Sequence, residues 1–347
     1  MRQFSEISSG IDREQIQKFM INHFNEFAQT WMRHQSEWVT GAYKTFGDHE
    51  KFLICIHLVK KTLDFYYKNN VKFSMDEFYS KKEIELEKYN VIEISRELKI
   101  PKETARRKIV ELEKIGAIKR LKKRIILDQK VLNTMKPSES IERASKMLSK
   151  LSVLLKKYDV VKKDFSSNDI LNHLKKNFSY CWRLFYRLQL PVVVNWKTYF
   201  GDIEAWHIWA TVSMNQAFIS EAYTIKKKSR SVKDFPYDMA YEKNNRGISA
   251  MTVSEITKIP RATVIRKLSK LVKSKHLIVD KKKHYHLSSE KIPRYSLIFE
   301  SNLDHAVDYV ARTFNQFLFN KETPDKILDK KFEVILNKEL IKSESVN

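Results

Sequence analysis

The sequence predicts a mainly α fold made of one unit used twice, and three observations carry that reading. A helix–turn–helix pattern runs over 94–118 and again over 253–277, each followed by a short cationic stretch that alternates like a β-hairpin. Upstream of each stands the signature Phe-Gly-Asp-x-Glu, at 46–50 and at 200–204. Elsewhere the apolar residues recur at helical rather than strand spacing.

The two copies set the order of elements. Residues 11–40 and 178–198 supply a first helix in each half, ending before Phe46 and Phe200. Residues 49–69 and 203–223 supply a second, apolar enough to be buried over a wide face. The hairpins fall at 117–127 and 277–287. The two Phe-Gly-Asp signatures are offset by 154 residues, whereas Ile100-Pro101 and Ile259-Pro260 are offset by 159. A five-residue insertion around 226–245 accounts for the difference. Repetition over this length reads as a duplicated domain, not a solenoid period. The expected domains are 1–138, a lysine-rich helical connector over 139–177, a second repeat over 178–292, and 293–347. The last holds an amphipathic helix over 295–320, a break at Pro324 and a charged tail.

Composition narrows the partner. The chain has 347 residues, a formal net charge of +23 and 42% hydrophobic residues, enough for real cores. A lysine-rich codon bias would spread the charge evenly, but it is concentrated. Residues 99–124 carry net +8 and residues 258–284 net +9, so the two motif segments hold most of the excess. Such clustering favours a polyanion, nucleic acid before an anionic membrane. The longest apolar run, 52–59, is far short of the ~20 residues of a membrane span. Met1-Arg2-Gln3-Phe4 begins no signal-peptide core, so a cytoplasmic, nucleoid-associated protein is expected. Cys55 and Cys181 lie in apolar helical stretches and read as buried reduced thiols.

In the first motif Ala105, Ile109 and Leu112 make a core stripe; in the second Val264, Leu268 and Leu271 do so. The turn residues Ile-Pro, then Thr104 and Thr263, Arg107-Lys108 and Arg266-Lys267, Leu112 and Leu271, and the Gly116-Ala117-Ile118 exit resemble the winged helix-turn-helix superfamily of prokaryotic transcription regulators. The resemblance covers about a fifth of the chain. Two helices ahead of each motif make the arrangement similar to a fused dimer of the multiple-antibiotic-resistance (MarR) type. The implied fold class is mainly α, with tandem duplicated winged helix-turn-helix domains, small β-hairpin wings and long packing helices. The second copy is expected to lack about one turn of the helix before Ile259, and Lys275-His276 stands where the first has Gly116-Ala117.

The resemblance implies a non-enzymatic regulator that reads double-stranded DNA with two unlike helices in one chain. The N-terminal part of each second helix would enter the major groove, so Glu103, Arg106, Arg107, Ala262, Ile265 and Arg266 would reach base edges. Arg107 and Arg266 occupy equivalent places and suit guanine; Ile265 suits a thymine methyl and Glu103 a cytosine amine. Lys102, Thr104, Lys108, Arg261, Thr263 and Lys267 would hold phosphates. So would Arg120, Lys122, Lys123 and Arg124 of the first wing and Lys281, Lys282, Lys283 and His284 of the second, there or in the minor groove. Pro101 and Pro260 suit the first helical position. A plasmid or phage replication initiator binding origin repeats is the alternative within DNA binding. A winged-helix protein-interaction scaffold is the alternative of another class.

Other constellations read as structural. Asp48 and Asp202 precede long apolar helices and are expected to cap them, with Glu50 and Glu204 favouring the helix start, rather than to do acid–base chemistry. His284-x-His286 reads as surface rather than zinc ligation, and no cofactor or metal is expected. The aromatic residues Trp182, Phe185, Tyr186, Trp196, Tyr199, Phe200, Trp206 and Trp209 read as core packing, with a small-molecule effector pocket in the second repeat as the alternative. The chain is expected to act as a monomeric pseudo-dimer, or to dimerise again through 295–320.

Overall fold

The computed structural model describes residues 10–81, 83–86, 90–121, 124–128, 133–224, 230–241 and 246–322. The molecule is mainly helical with two small antiparallel sheets, and no described helix is long and apolar enough to cross a membrane. The chain first lays down α1 (Arg13–Asn22), α2 (Phe24–Phe46), α3 (His49–Lys68), the short α4 (Met75–Tyr79) and β1 (Glu83–Leu86). There follow α5 (Val91–Leu98), α6 (Lys102–Lys114), β2 (Lys119–Leu121), β3 (Arg124–Asp128) and α7 (Ser138–Lys157).

The same order then recurs. It runs through α8 (Ser167–Lys176), α9 (Phe178–Phe200), α10 (Ile203–Thr224), α11 (Phe235–Tyr241) and β4 (Ile248–Ser249). It continues with α12 (Ala250–Thr257), α13 (Arg261–Lys273), β5 (Leu277–Val279), β6 (His284–Leu287) and α14 (Ile292–Glu322). The sheets have matching orders, β1-β3-β2 and β4-β6-β5.

The Phe-Gly-Asp signature is a helix stop followed by a helix start. Gly47 (φ 63°) and Gly201 (φ 82°) end α2 and α9 in the left-handed region, where a residue without Cβ carries no steric penalty. The Asp48 carboxylate then accepts from the Glu50 and Lys51 amides at 2.9 and 3.2 Å, and Asp202 accepts from the Ala205 amide at 2.7 Å. These bonds satisfy N–H groups that a helix start leaves without partners.

The halves are interleaved. α9 is buried on nearly every side, against α3, α10 and α14, which fits a helix apolar all round. α3 packs on α9 and α2 on α10, so each half contributes one surface to the other's long helices. The stretch 139–177, read from sequence as one connector, divides instead. α7 packs on α2 of its own half and on α8, while α14 packs on α9 and on α1. Each closing helix thus covers the opening helix of the other half. Bonds from side chains to the backbone fix both junctions. Asn315 of α14 accepts from the Ile11 amide (2.7 Å) and donates to the Ile11 carbonyl (3.0 Å). On α7, Ser152 accepts from the Phe165 amide (2.9 Å), and Ser149 donates to the Phe165 carbonyl (2.8 Å). Part of the apolar face of α14, considered above for a second dimerisation, is covered within the chain by α1 and α9, while Leu297 and Phe319 stay exposed. Residue 324 and the tail beyond it lie outside the described residues.

Five histidines are buried, and His34, His49, His57 and His207 among them have their pKa lowered by burial. His49 Nε2 lies 3.2 Å from His207 Nδ1, and His207 Nε2 lies 3.0 Å from Thr40 Oγ1, so the chain of contacts crosses between the halves. Burial pulls the pKa of His49 and His57 down to about 4 and of His34 to about 3, and it lowers His207 well below 6.5. Below pH 6.5 the unfolded chain takes up protons that these folded sites refuse. Stability is therefore full above 6.5 and falls as pH drops from 6.5 towards 4, by up to about 1.4 kcal/mol per pH unit for each histidine. Urea midpoints measured at pH 7, 6 and 5 should decline steeply over this window, and the Asp48 and Asp64 carboxylates, held low by their lysine and arginine partners, add their loss only at still lower pH.

Candidate nucleic-acid interface

The two helix–turn–helix segments close in the same way. Asn90 caps α5 by accepting from the Ile92 amide at 2.8 Å, and Ser249 caps α12 by accepting from the Thr252 amide at 3.2 Å. Lys99 (φ 51°) and Lys258 (φ 63°) turn the chain through the left-handed region. Ser95 then donates to the Ile100 carbonyl at 2.6 Å, and Ser254 to the Ile259 carbonyl at 2.7 Å. Pro101 and Pro260 sit at the caps of α6 and α13, one residue before the first helical position expected for them. α12 is as long as α5, eight residues each, so the second copy does not lack a turn there. At the far end Gly116 (φ 71°) and Lys275 (φ 62°) take the same left-handed conformation, and the amides of Ala117 and His276 bond back to Leu112 and Leu271 at 2.8 and 2.9 Å.

The core stripes fall as the spacing predicts: Ala105, Ile109 and Leu112 are buried in α6, and Val264, Leu268 and Leu271 in α13. The opposite face of α6 exposes Lys102, Glu103, Arg106 and Arg107, and that of α13 exposes Arg261, Ala262, Ile265 and Arg266. Thr104 and Thr263 are half-buried.

The expectation that Lys108 and Lys267 hold phosphates is corrected by their surroundings. Their side chains are only 14% and 13% exposed. The Lys108 ammonium pairs with the Asp48 carboxylate, and Lys267 Nζ lies 2.8 Å from Asp202 and 3.5 Å from Glu204. Each aspartate therefore caps a buried helix and also anchors the helix above it. The Lys108 bond and the two helix amides hold the Asp48 carboxyl below its ordinary range, against the opposing effect of burial. Sequence reading found the capping and missed the anchoring. The signal was present, since Asp and Lys recur at corresponding places in both halves.

A second anchor crosses between the halves. Lys197 of α9 is buried, 2.9 Å from Glu50 and 3.3 Å from the Leu98 carbonyl, so α9 of the second half holds the C-terminal end of α5 in the first. Burial of this kind is tolerated because the ammonium is both paired and hydrogen-bonded.

The electrostatics of the two outward faces differ. On α6, Arg106 lies 3.6 Å from Glu103, and Arg107 lies 3.7 Å from Glu111, which also pairs with Lys51 at 2.9 Å. Arg106 and Arg107 remain 58% and 66% exposed, so these pairs are screened and weak. On α13, Arg261 and Arg266 have no carboxylate partner among the described residues, and Ile265 is 43% exposed.

The second wing is stiffened from within. Asp280 accepts from the amides of Lys282 and His284, both at 2.9 Å, and lies 3.3 Å from His286 Nε2. These donors hold its carboxyl below the usual range. Lys283 takes φ 60° at the tip, and Lys281, Lys282 and Lys283 are exposed with His284 partly so. Gly247 lets β4 pass against β6, where a Cβ would overlap the His286 imidazole. In the first wing Lys122 and Lys123 lie outside the described residues, as do the side chains of Arg120 and Arg124, whose backbones belong to β2 and β3.

His57, Glu93 and Glu97 come within 4.8 Å of one another, a grouping that sequence reading missed because it joins α3 to α5. Lys61 already neutralises Glu93 at 2.9 Å, which disfavours a metal ion there. The aromatic residues of the second half pack against one another: Trp182 stacks on Phe185 (4.3 Å between centroids) and Trp196 meets Trp209 (5.3 Å). The void beside Trp196, Trp206 and Trp209 is about 50 Å³, against the roughly 150 Å³ that admits benzene. That void alone is too small for a flat effector.

Compared with protein-family models, curated proteins and solved structures, the chain matches none.

The left-handed residues at 116 and 275 generate a paired prediction. Gly116→Ala should destabilise the fold by about 1 kcal/mol, whereas Lys275→Gly should stabilise it by up to about the same amount. Denaturant melts of both variants check it; loss of stability in both would show that 275 is not strained.

Proposed function

We propose that the chain is a sequence-specific, double-stranded DNA-binding transcription regulator, in which two unlike winged helix-turn-helix domains fused in tandem read adjacent half-sites. The observation that carries this reading is a shared presentation. In α6 and in α13 an exposed arginine, Arg107 or Arg266, stands directly before a lysine locked to the aspartate below, Lys108 or Lys267. The locked lysine sets the rotation of the helix and leaves the arginine facing out, where a bidentate contact to guanine is its natural use.

The differences between the faces support unlike half-sites. Glu103 corresponds to Ala262 and Arg106 to Ile265, so the first face offers paired charges and the second offers two arginines with no carboxylate partner among the described residues, beside an exposed aliphatic side chain. DNA phosphates can displace the weak exposed pairs on α6 at little cost. Lys281, Lys282 and Lys283 on the stiffened second wing suit phosphate contact.

Selection of bound duplexes from fragmented genomic DNA by the purified chain tests the reading. Two distinct motifs at fixed spacing are expected, and tandem reiterated sites would favour origin binding by a replication initiator instead. Arg107→Ala and Arg266→Ala should each cost about 1–3 kcal/mol and relax specificity at separate positions. Lys281→Ala and Lys282→Ala should weaken all duplexes alike and reduce the salt slope by about one unit each. Equal losses on selected and random duplexes for both arginine variants would remove base reading from the account.

A further inference from the structure

Between α2, α7 and α10 the surface opens into a cleft of about 510 Å³, away from the outward faces of α6 and α13. Its charge is one-sided. Arg33, Arg143, Lys146 and Lys150 line it against one carboxylate, Glu37. Arg143 is occupied, 3.0 Å from Glu139 and 3.5 Å from Glu37. The other three have no carboxylate within 4.0 Å among the described residues. Arg33 instead lies over the Phe218 ring, 4.8 Å from its centroid, and Lys146 and Lys150 stand one turn apart on α7.

The floor of the cleft holds a buried side chain without a polar partner. His34 is 3% exposed, and neither of its ring nitrogens has a hydrogen-bond partner. Buried polar groups are almost always satisfied, and an exception points to a bound water or ligand. Burial and the nearby Arg143 keep this imidazole neutral, so it presents one N–H donor and one bare nitrogen. Concentrated like charge in a concave, low-dielectric site raises the local concentration of the opposite ion.

We propose that this cleft binds a small organic anion, a carboxylate or phosphate carried on a compact apolar body. Arg33, Lys146 and Lys150 receive the charged group. Phe218 and Met147 form the apolar wall, and the His34 N–H supplies the hydrogen bond that it lacks within the chain. The volume falls in the range of small-ligand sites. A nucleic-acid backbone would meet only the cations at the rim and leave His34 dry. A neighbouring cleft of about 500 Å³ shares Arg33 and Phe218 and extends to Ile256 of α12. Occupancy is therefore within reach of the second helix–turn–helix.

Calorimetric titration of the full chain with 1-naphthoate and with phenyl phosphate tests the site, and the two arms distinguish a carboxylate from a phosphate ligand. Saturable 1:1 binding of at least one probe is expected, with the His34 ring resonances shifting on titration. Arg33→Gln with Lys150→Gln, both exposed side chains, should weaken that binding at least tenfold, and Lys72→Gln, exposed and outside the cleft, should leave it unchanged. Failure of both probes to saturate overturns the proposal, as does undiminished binding by the double variant. Displacement of the bound probe by random duplex DNA would also overturn it, in favour of a nucleic-acid surface. None of these readings requires the chain to recognise a DNA sequence.

Discussion

In each half one aspartate sits at the start of a buried helix and holds a lysine from the helix that faces outward. Asp48 caps α3 and grips Lys108 of α6; Asp202 caps α10 and grips Lys267 of α13. The carboxylate is stabilised twice, by helix N–H groups at the positive end of the helix dipole and by the ammonium. The lysine loses most of its hydration but gains a paired, hydrogen-bonded position. Orientation of the outward helices follows from this contact, because burial of Ile109 and Leu112, or of Leu268 and Leu271, alone tolerates small rotations about the helix axis.

The frame beneath is held by exchange between the halves. α7 and α14 each cover the other half's opening helix, and Lys197 reaches from the second half to the end of α5 in the first. Asp64 of α3 meets Arg183 of α9 at 2.6 Å, and the guanidinium lies 3.8 Å from the centre of the Tyr67 ring. Separating the halves would expose these charges and the apolar faces of α3, α9 and α10 together. The spacing of α6 and α13 is thus set by a shared core rather than by a linker.

Much of this was legible in the sequence. Helical spacing gave the core stripes of α6 and α13, Phe-Gly-Asp gave the stop and start of the long helices, and Ile-Pro gave the turns. Three things were not legible, each for a physical reason. Lys108 and Lys267 read as surface cations because charge in a sequence carries no direction, and only their aspartate partners turn them inward. Lys275 read as a departure from glycine, yet the bond from His276 back to Leu271 imposes the left-handed turn on it. The stretch 139–177 read as a connector because its polar residues hide two amphipathic helices whose partners lie in different halves. The cleft around His34 joins residues from three distant segments, so no local pattern announces it.

Under the proposed function, one chain presents two unlike helices, α6 and α13, to adjacent half-sites from a shared core. The most direct test is hydroxyl-radical footprinting, with the binding stoichiometry measured in parallel, of the purified chain on its selected duplex. The account predicts that a single chain protects two adjacent half-sites of different sequence, and that Arg107→Ala and Arg266→Ala each weaken protection of a different one. A requirement for two chains to protect the pair, or protection that spreads without sequence boundaries, would contradict it.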